Sequence, residues 1–191
     1  MRLILASASP RRRELLARAG FEFEVRASSL DEAPRAGELP EEFARRAARD
    51  KALAVAASAS PGSLVLGADT VVVADHEILG KPADDADAAR MLDKLSGITH
   101  RVITGICLVR APEKIEALEH ATTAVTFRPL DREEIARYIA SGEPRDKAGA
   151  YGIQGLASKF VTRVEGCYFN VVGLPVAMVY GLLKPFLRHP R

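Results

Sequence analysis

"LILASASPRRRELLARAG" (residues 3–20) decides the fold class, because it reads as a strand delivered straight into a helix. Leu3–Ala6 is an apolar run of strand length. Ser9 then stands as N-cap, Pro10 takes the first helical position with its φ already set, and Gly20 marks the stop. Arg11, Arg12 and Arg13 crowd the first turn, where unpaired N–H groups and the positive end of the helix dipole already sit. Each is unfavourable there by about 0.3–1 kcal/mol at an exposed position. Such a helix start asks for an anionic partner.

Outward from this unit, strands and helices keep alternating. "FEFEVRA" (21–27) alternates apolar and polar as a half-buried strand does, a polar loop "SSLDEAPRAGELP" follows, and residues 40–58 form an Ala-rich helix. "SLVLGADTVVVAD" is a Val-rich strand pair or one long strand interrupted at Gly67–Asp69, with "HEILGKP" as the return arm of a hairpin. A helix over 84–95, opened by Asp84 or Asp85 and closed near Gly97, precedes strands over 98–110 and 115–127. Asp131 with Glu134 forms a capping box for a helix over 131–141 that ends at Gly142. "EPRDKAGAYGIQGLASK" is a Gly-punctuated loop, "FVTRV" and "YFNVV" read as strands joined at Glu165–Gly166, and Pro175 opens a last helix. The pattern predicts an α/β fold with a mixed, twisted sheet flanked by helices, as one domain or as two lobes sharing the sheet.

Composition narrows the class. With 191 residues, 48% hydrophobic and 27% charged, the chain is long enough to build a sizeable core, and a net charge of +2 argues against a general nucleic-acid binder. Neither a signal-peptide core nor a window of membrane-spanning length is visible, which predicts a soluble, cytoplasmic chain without membrane contact. Cys107 and Cys167 lie far apart in apolar, strand-like contexts and are expected as reduced, buried thiols. The histidines at 76, 100, 120 and 189 lack ligand spacing, so no structural zinc is expected.

A few charged residues stand where core packing does not explain them. Counted around the helix from Phe43, residues Ala44, Ala47, Ala48, Ala54 and Val55 share one face, and Lys51 falls near its centre. Such a lysine either snorkels to water or reaches a buried anion. Asp69, in the apolar run "LVLGADTVVV", is either a structural carboxylate or a tuned base, and Gly67 just before it points to a bulge or a close approach. Lys81 in "LGKP" and Glu32 in "LDEAP" read alone as surface residues. Taken together, cations at a helix start and on separate elements suit a polyphosphate, and two carboxylates suit a hard divalent cation. Neither a Walker A pattern nor a G-x-G-x-x-G helix start occurs.

The segments "LASASPRRRELL", "ARDKA", "GADTVVV", "LGKP", "MLDKLSGITHRVITG" and "DKAGAYGIQG", in this order and spacing, resemble the Maf family of nucleoside triphosphate pyrophosphatases over nearly the whole chain. The resemblance implies a single Maf-like catalytic domain over residues 1–191, related to the ITPase fold, with an active-site cleft between two lobes. It implies cleavage between the α- and β-phosphates of a nucleoside triphosphate, giving monophosphate and pyrophosphate with Mg²⁺ or Mn²⁺. By that resemblance Asp69 is the catalytic carboxylate, Glu32 its supporting acid and fellow metal ligand, and Lys51 and Lys81 contact phosphate. Ser9, Arg11 and Arg12 fall in the family's Ser-Pro-Arg-Arg motif, with Ser7 lining the phosphate site; Arg13 is read as a surface or dimer contact. Arg12, Thr70 and Gln154 resemble the branch active on dTTP and UTP, and a homodimer is implied. Rival readings are a broader pyrophosphatase of modified pyrimidine triphosphates, and a nucleotide-binding regulator of cell division without turnover.

Overall fold

In the computed structural model, which describes residues 2–28, 30 and 33–187, strand β1 (Leu3–Leu5) runs into helix α1 (Pro10–Arg18) as its sequence dictates. The Ser9 hydroxyl accepts from the Arg12 N–H at 3.4 Å, and Pro10 occupies the first turn. Then follow β2 (Glu24–Val25), α2 (Pro40–Ala56), β3 (Leu64–Ala74), β4 (Glu77–Leu79) and α3 (Asp85–Leu95). The second half comprises β5 (Thr99–Arg110), β6 (Lys114–Phe127), α4 (Arg132–Ala140), β7 (Val161–Glu165), α5 (Tyr168–Val172) and α6 (Val176–Leu183).

The sheet is mixed, with strand order β2-β1-β3-β5-β6-β7 and β4 paired to β3. β1 lies parallel to both β2 and β3, whereas β3–β4 and β6–β7 are antiparallel. The predicted α/β class and mixed sheet are therefore present. β3 runs unbroken through Gly67–Asp69, so the pair-or-interruption alternative resolves to one long strand.

Three expectations change. The predicted strand over 21–27 shrinks to Glu24–Val25, because β1 offers it only Ile4 and Leu5 as partners. "YFNVV" is not a strand but the short helix α5: the buried Asn170 amide donates to the Val102 carbonyl and the Thr123 hydroxyl, each at 3.0 Å, and this outweighs local strand propensity. The Gly-punctuated loop contains three 3-10 turns, Glu143–Asp146, Ala148–Ala150 and Leu156–Phe160. The helix boundaries otherwise follow the caps: Asp84 caps α3 through the Asp87 N–H at 2.7 Å, and Asp131 with Glu134 closes a capping box on α4.

The chain divides into two compact units. The first holds Met1–Asp69, Thr104–Ala121 and Gly173–Arg191. Its core joins Ile4 and Ala6, the α2 residues Ala48, Ala52, Val55 and Ala56, and Val65, Cys107 and Val109. Cys107 is a free, buried thiol, and burial pushes its pKa up to about 12; Cys167, also free, is only half-buried because it sits at the turn into α5.

The second unit, Thr70–Ile103 and Thr122–Val172, is built around aromatic rings. Phe127 meets His100, Tyr151 and Phe160 edge-on, with centroids 5.0, 4.8 and 6.0 Å apart. His100 is 1% exposed, its Nε2 lies 2.8 Å from the Tyr151 hydroxyl, and burial lowers its pKa from 6.5 to about 4. Between those values the unfolded chain binds a proton that the folded chain refuses, so stability falls as pH drops from 6.5 toward 4, by about 3 kcal/mol in total. Glu38 and Glu134, held down to about 2 by Arg46 and Arg128, lose their contributions only below 4.5. Melting curves between pH 7 and 5.5, above the range in which the glutamates titrate, therefore isolate the histidine, and His100→Gln is expected to flatten them; an unchanged slope would remove His100 as the cause.

Candidate active site

The first unit brings Lys51 and Asp69 together through an unusually close helix-on-strand contact. A Cβ at Gly67 would stand 2.1 Å from the Ala48 carbonyl oxygen, and one at Gly105 2.0 Å from that of Ala44. Only glycine leaves room for the α2 backbone on β3 and β5. Gly67 thus marks a close approach, not a bulge, and what approaches is the chain's own helix. The buried face of α2 is turned toward Ala48, Ala52 and Ala56, which leaves Ala54 exposed against expectation.

α2 starts on Pro40 with Glu41 and Glu42 in its first turn, the charge pattern its dipole favours. From the buried side of this helix, the Lys51 ammonium donates to Asp69 Oδ1. The two side chains are 20% and 18% exposed, so the pair is shielded but reachable from solvent. The lysine therefore reaches an anion, and that anion is the strand carboxylate.

At the start of α1, Arg12 finds protein partners. Arg12 folds back, its Nε donating to the Gly173 carbonyl at 2.9 Å and its Nη1 to the Ser7 hydroxyl at 3.0 Å. Ser7 is 7% exposed, and its oxygen also accepts from the Ser9 N–H at 3.3 Å. Burial pushes the Arg12 pKa down, the Asp69 charge opposes that, and Arg11 adds to the lowering. Arg12 and Asp69 thus act on each other within this unit. Arg11 is half-buried beside them and Arg13 is exposed. The Gly173 contact could not be read from the sequence, since Gly173 lies 161 residues away.

The remaining sequence candidates divide as follows. Glu32 lies outside the described residues; the chain just after it is tied to α2, where Arg46 grips Glu38 at 2.6 and 2.8 Å and donates to the Ala33 carbonyl at 3.1 Å. Thr70, half-buried, and the exposed Lys81 and Gln154 belong to the second unit. The Gly80 carbonyl beside Lys81 accepts from the Gly149 N–H at 3.0 Å. Among the described residues, no group of three or more His, Cys, Asp or Glu is placed to hold a metal ion. Asp69 alone still fits a hard cation that brings phosphate oxygens and water as its other ligands. Among these residues too, no helix is long and apolar enough to cross a membrane.

Comparison with known proteins gives one consistent family. The sequence profile described as "Maf-like protein" matches residues 2–186. A protein of Koribacter versatilis named dTTP/UTP pyrophosphatase is 57% identical over 184 residues, covering 96% of this chain and 94% of that one. Proteins of the same name from Geobacter metallireducens and Vibrio cholerae are 55% and 50% identical; the alignments cover 93% and 97% of this chain and 92% and 98% of theirs.

Proposed function

The chain belongs to the Maf family, and from that membership we propose that it hydrolyses dTTP and UTP to the nucleoside monophosphate and pyrophosphate. The observation that carries the chemistry is the shielded Lys51–Asp69 pair with Arg12 close by: one carboxylate able to take a proton, set among cations. The same reading takes the 191 residues as one catalytic domain, working in the cytoplasm as a homodimer.

In this reading Asp69 accepts a proton from the water that attacks the α-phosphorus, and Lys51 fixes the orientation of that carboxylate. Arg11 and Arg12, with Lys81 and the N–H groups at the start of α1 around Ser7 and Ser9, offset charge on the departing pyrophosphate. Asp69 and Glu32 would hold a divalent cation, Mg²⁺ or Mn²⁺, which when bound neutralises phosphate oxygens. Arg12, Thr70 and Gln154 select the substrate. A glutamine amide offers the donor and acceptor that the imide edge of uracil or thymine demands.

Pyrophosphate release from dTTP and UTP tests the proposal, with and without excess EDTA. Turnover that falls to background on chelation and returns with Mg²⁺ or Mn²⁺ is expected; nucleotide binding without pyrophosphate release would contradict it.

A further inference from the structure

Gln154 sits on a turn held at one end by a carboxylate and at the other by the hydroxyl that donates to that carboxylate. Glu143 Oε2 accepts from the Leu156 N–H at 2.9 Å, on the far side of Gln154. Glu143 Oε1 accepts from the Tyr138 hydroxyl at 2.9 Å, and that hydroxyl oxygen accepts from the Gly152 N–H at 3.1 Å, on the near side. The turn between closes through the Gly155 N–H on the Gly152 carbonyl at 3.0 Å. A Cβ at Gly155 would lie 2.3–2.4 Å from the Glu143 carboxyl atoms, so the backbone of the turn rests directly on them.

Glu143 is in turn fixed. The Lys147 ammonium donates to its carbonyl at 2.6 Å, and Tyr138, 2% exposed at the end of α4, packs edge-on against Phe160 with centroids 5.3 Å apart. The clamp therefore extends from a rigid, buried aromatic to the two amides flanking an exposed glutamine.

We propose that Glu143, through Tyr138, is the positioning residue that sets the base preference of this enzyme by holding Gln154 in place. The inference rests on the reading of Gln154 as the residue that meets the pyrimidine. A glutamine at 143 has the shape of glutamate but not its two acceptors. With its nitrogen toward Leu156, the bond to that N–H is lost; with its nitrogen toward Tyr138, the phenol oxygen must accept from the amide and from Gly152 at once while its own O–H loses the carboxylate it donated to, so the clamp is weakened either way.

The test compares kcat/KM for UTP with that for GTP in Glu143→Gln, Tyr138→Phe and Gln154→Ala. It is joined by amide hydrogen exchange across 152–156. A general loss of folded protein lowers both substrates alike and leaves their ratio untouched. The expected result is a fall of the UTP-to-GTP ratio by about tenfold in all three variants, in keeping with the net worth of one hydrogen bond to the base. Exchange at Gly152 and Leu156 should be faster in the two clamp variants. A lowered ratio in Gln154→Ala alone, or unchanged exchange in Glu143→Gln, would overturn the clamp while leaving the base reading intact. An unchanged ratio in Gln154→Ala would overturn the base reading, and the proposal with it.

Discussion

Asp69→Asn is expected to lower turnover of UTP and dTTP by about 10³-fold while the chain stays folded, a loss in the range that removal of a positioned base produces. Asparagine keeps the size of the side chain and an oxygen that can accept from Lys51. What it cannot do is take a proton from water. The lysine left without its counter-charge is 20% exposed and can extend toward solvent, so a modest stability loss is expected rather than collapse. Initial rates of pyrophosphate release, measured beside a thermal melt, check both halves. Near wild-type turnover would remove Asp69 from the role of base.

Gly67→Ala is expected to cost about 3 kcal/mol of stability, or about 6–12 °C in melting temperature for a chain of this size. The new methyl would stand 2.1 Å from the Ala48 carbonyl oxygen and 2.8 Å from the Ala52 Cβ, and the nearest obstacle is helix backbone that no rotamer change can clear. α2 must lift from β3 to make room. Because Lys51 rides on that helix between Ala48 and Ala52, the lift also separates it from Asp69, and activity should fall further than the loss of folded protein explains. Differential scanning calorimetry with rates normalised to folded protein checks this. A melting temperature within a degree of the parent would show that α2 does not rest on Gly67.

These two substitutions touch the parts of the site that were legible in the sequence. Lys51 and Asp69 stood out because a charge in an apolar run demands an explanation, and each turned out to explain the other. Local chemistry was readable wherever a cap fixed it, as with Ser9, Asp84 and the Asp131–Glu134 box. What escaped depended on distant partners. "YFNVV" folds as a helix because Asn170 bonds to Val102 and Thr123, 68 and 47 residues away. The arginines at the α1 start looked like cations waiting for a ligand, yet Arg12 already spends two N–H groups on Gly173 and Ser7. Its positioning by the protein was invisible, although the serine was in plain view. The same holds for Glu143, which reads as one acid in a polar loop until the turn around Gln154 is seen to rest on it.

The central claim, water attacking the α-phosphorus beside Asp69, is tested most directly by product analysis of UTP hydrolysis in ¹⁸O-enriched water. UMP and pyrophosphate are expected in equal amounts, with the heavy oxygen in UMP and none in pyrophosphate. UDP and inorganic phosphate as products, or label in pyrophosphate, would contradict it.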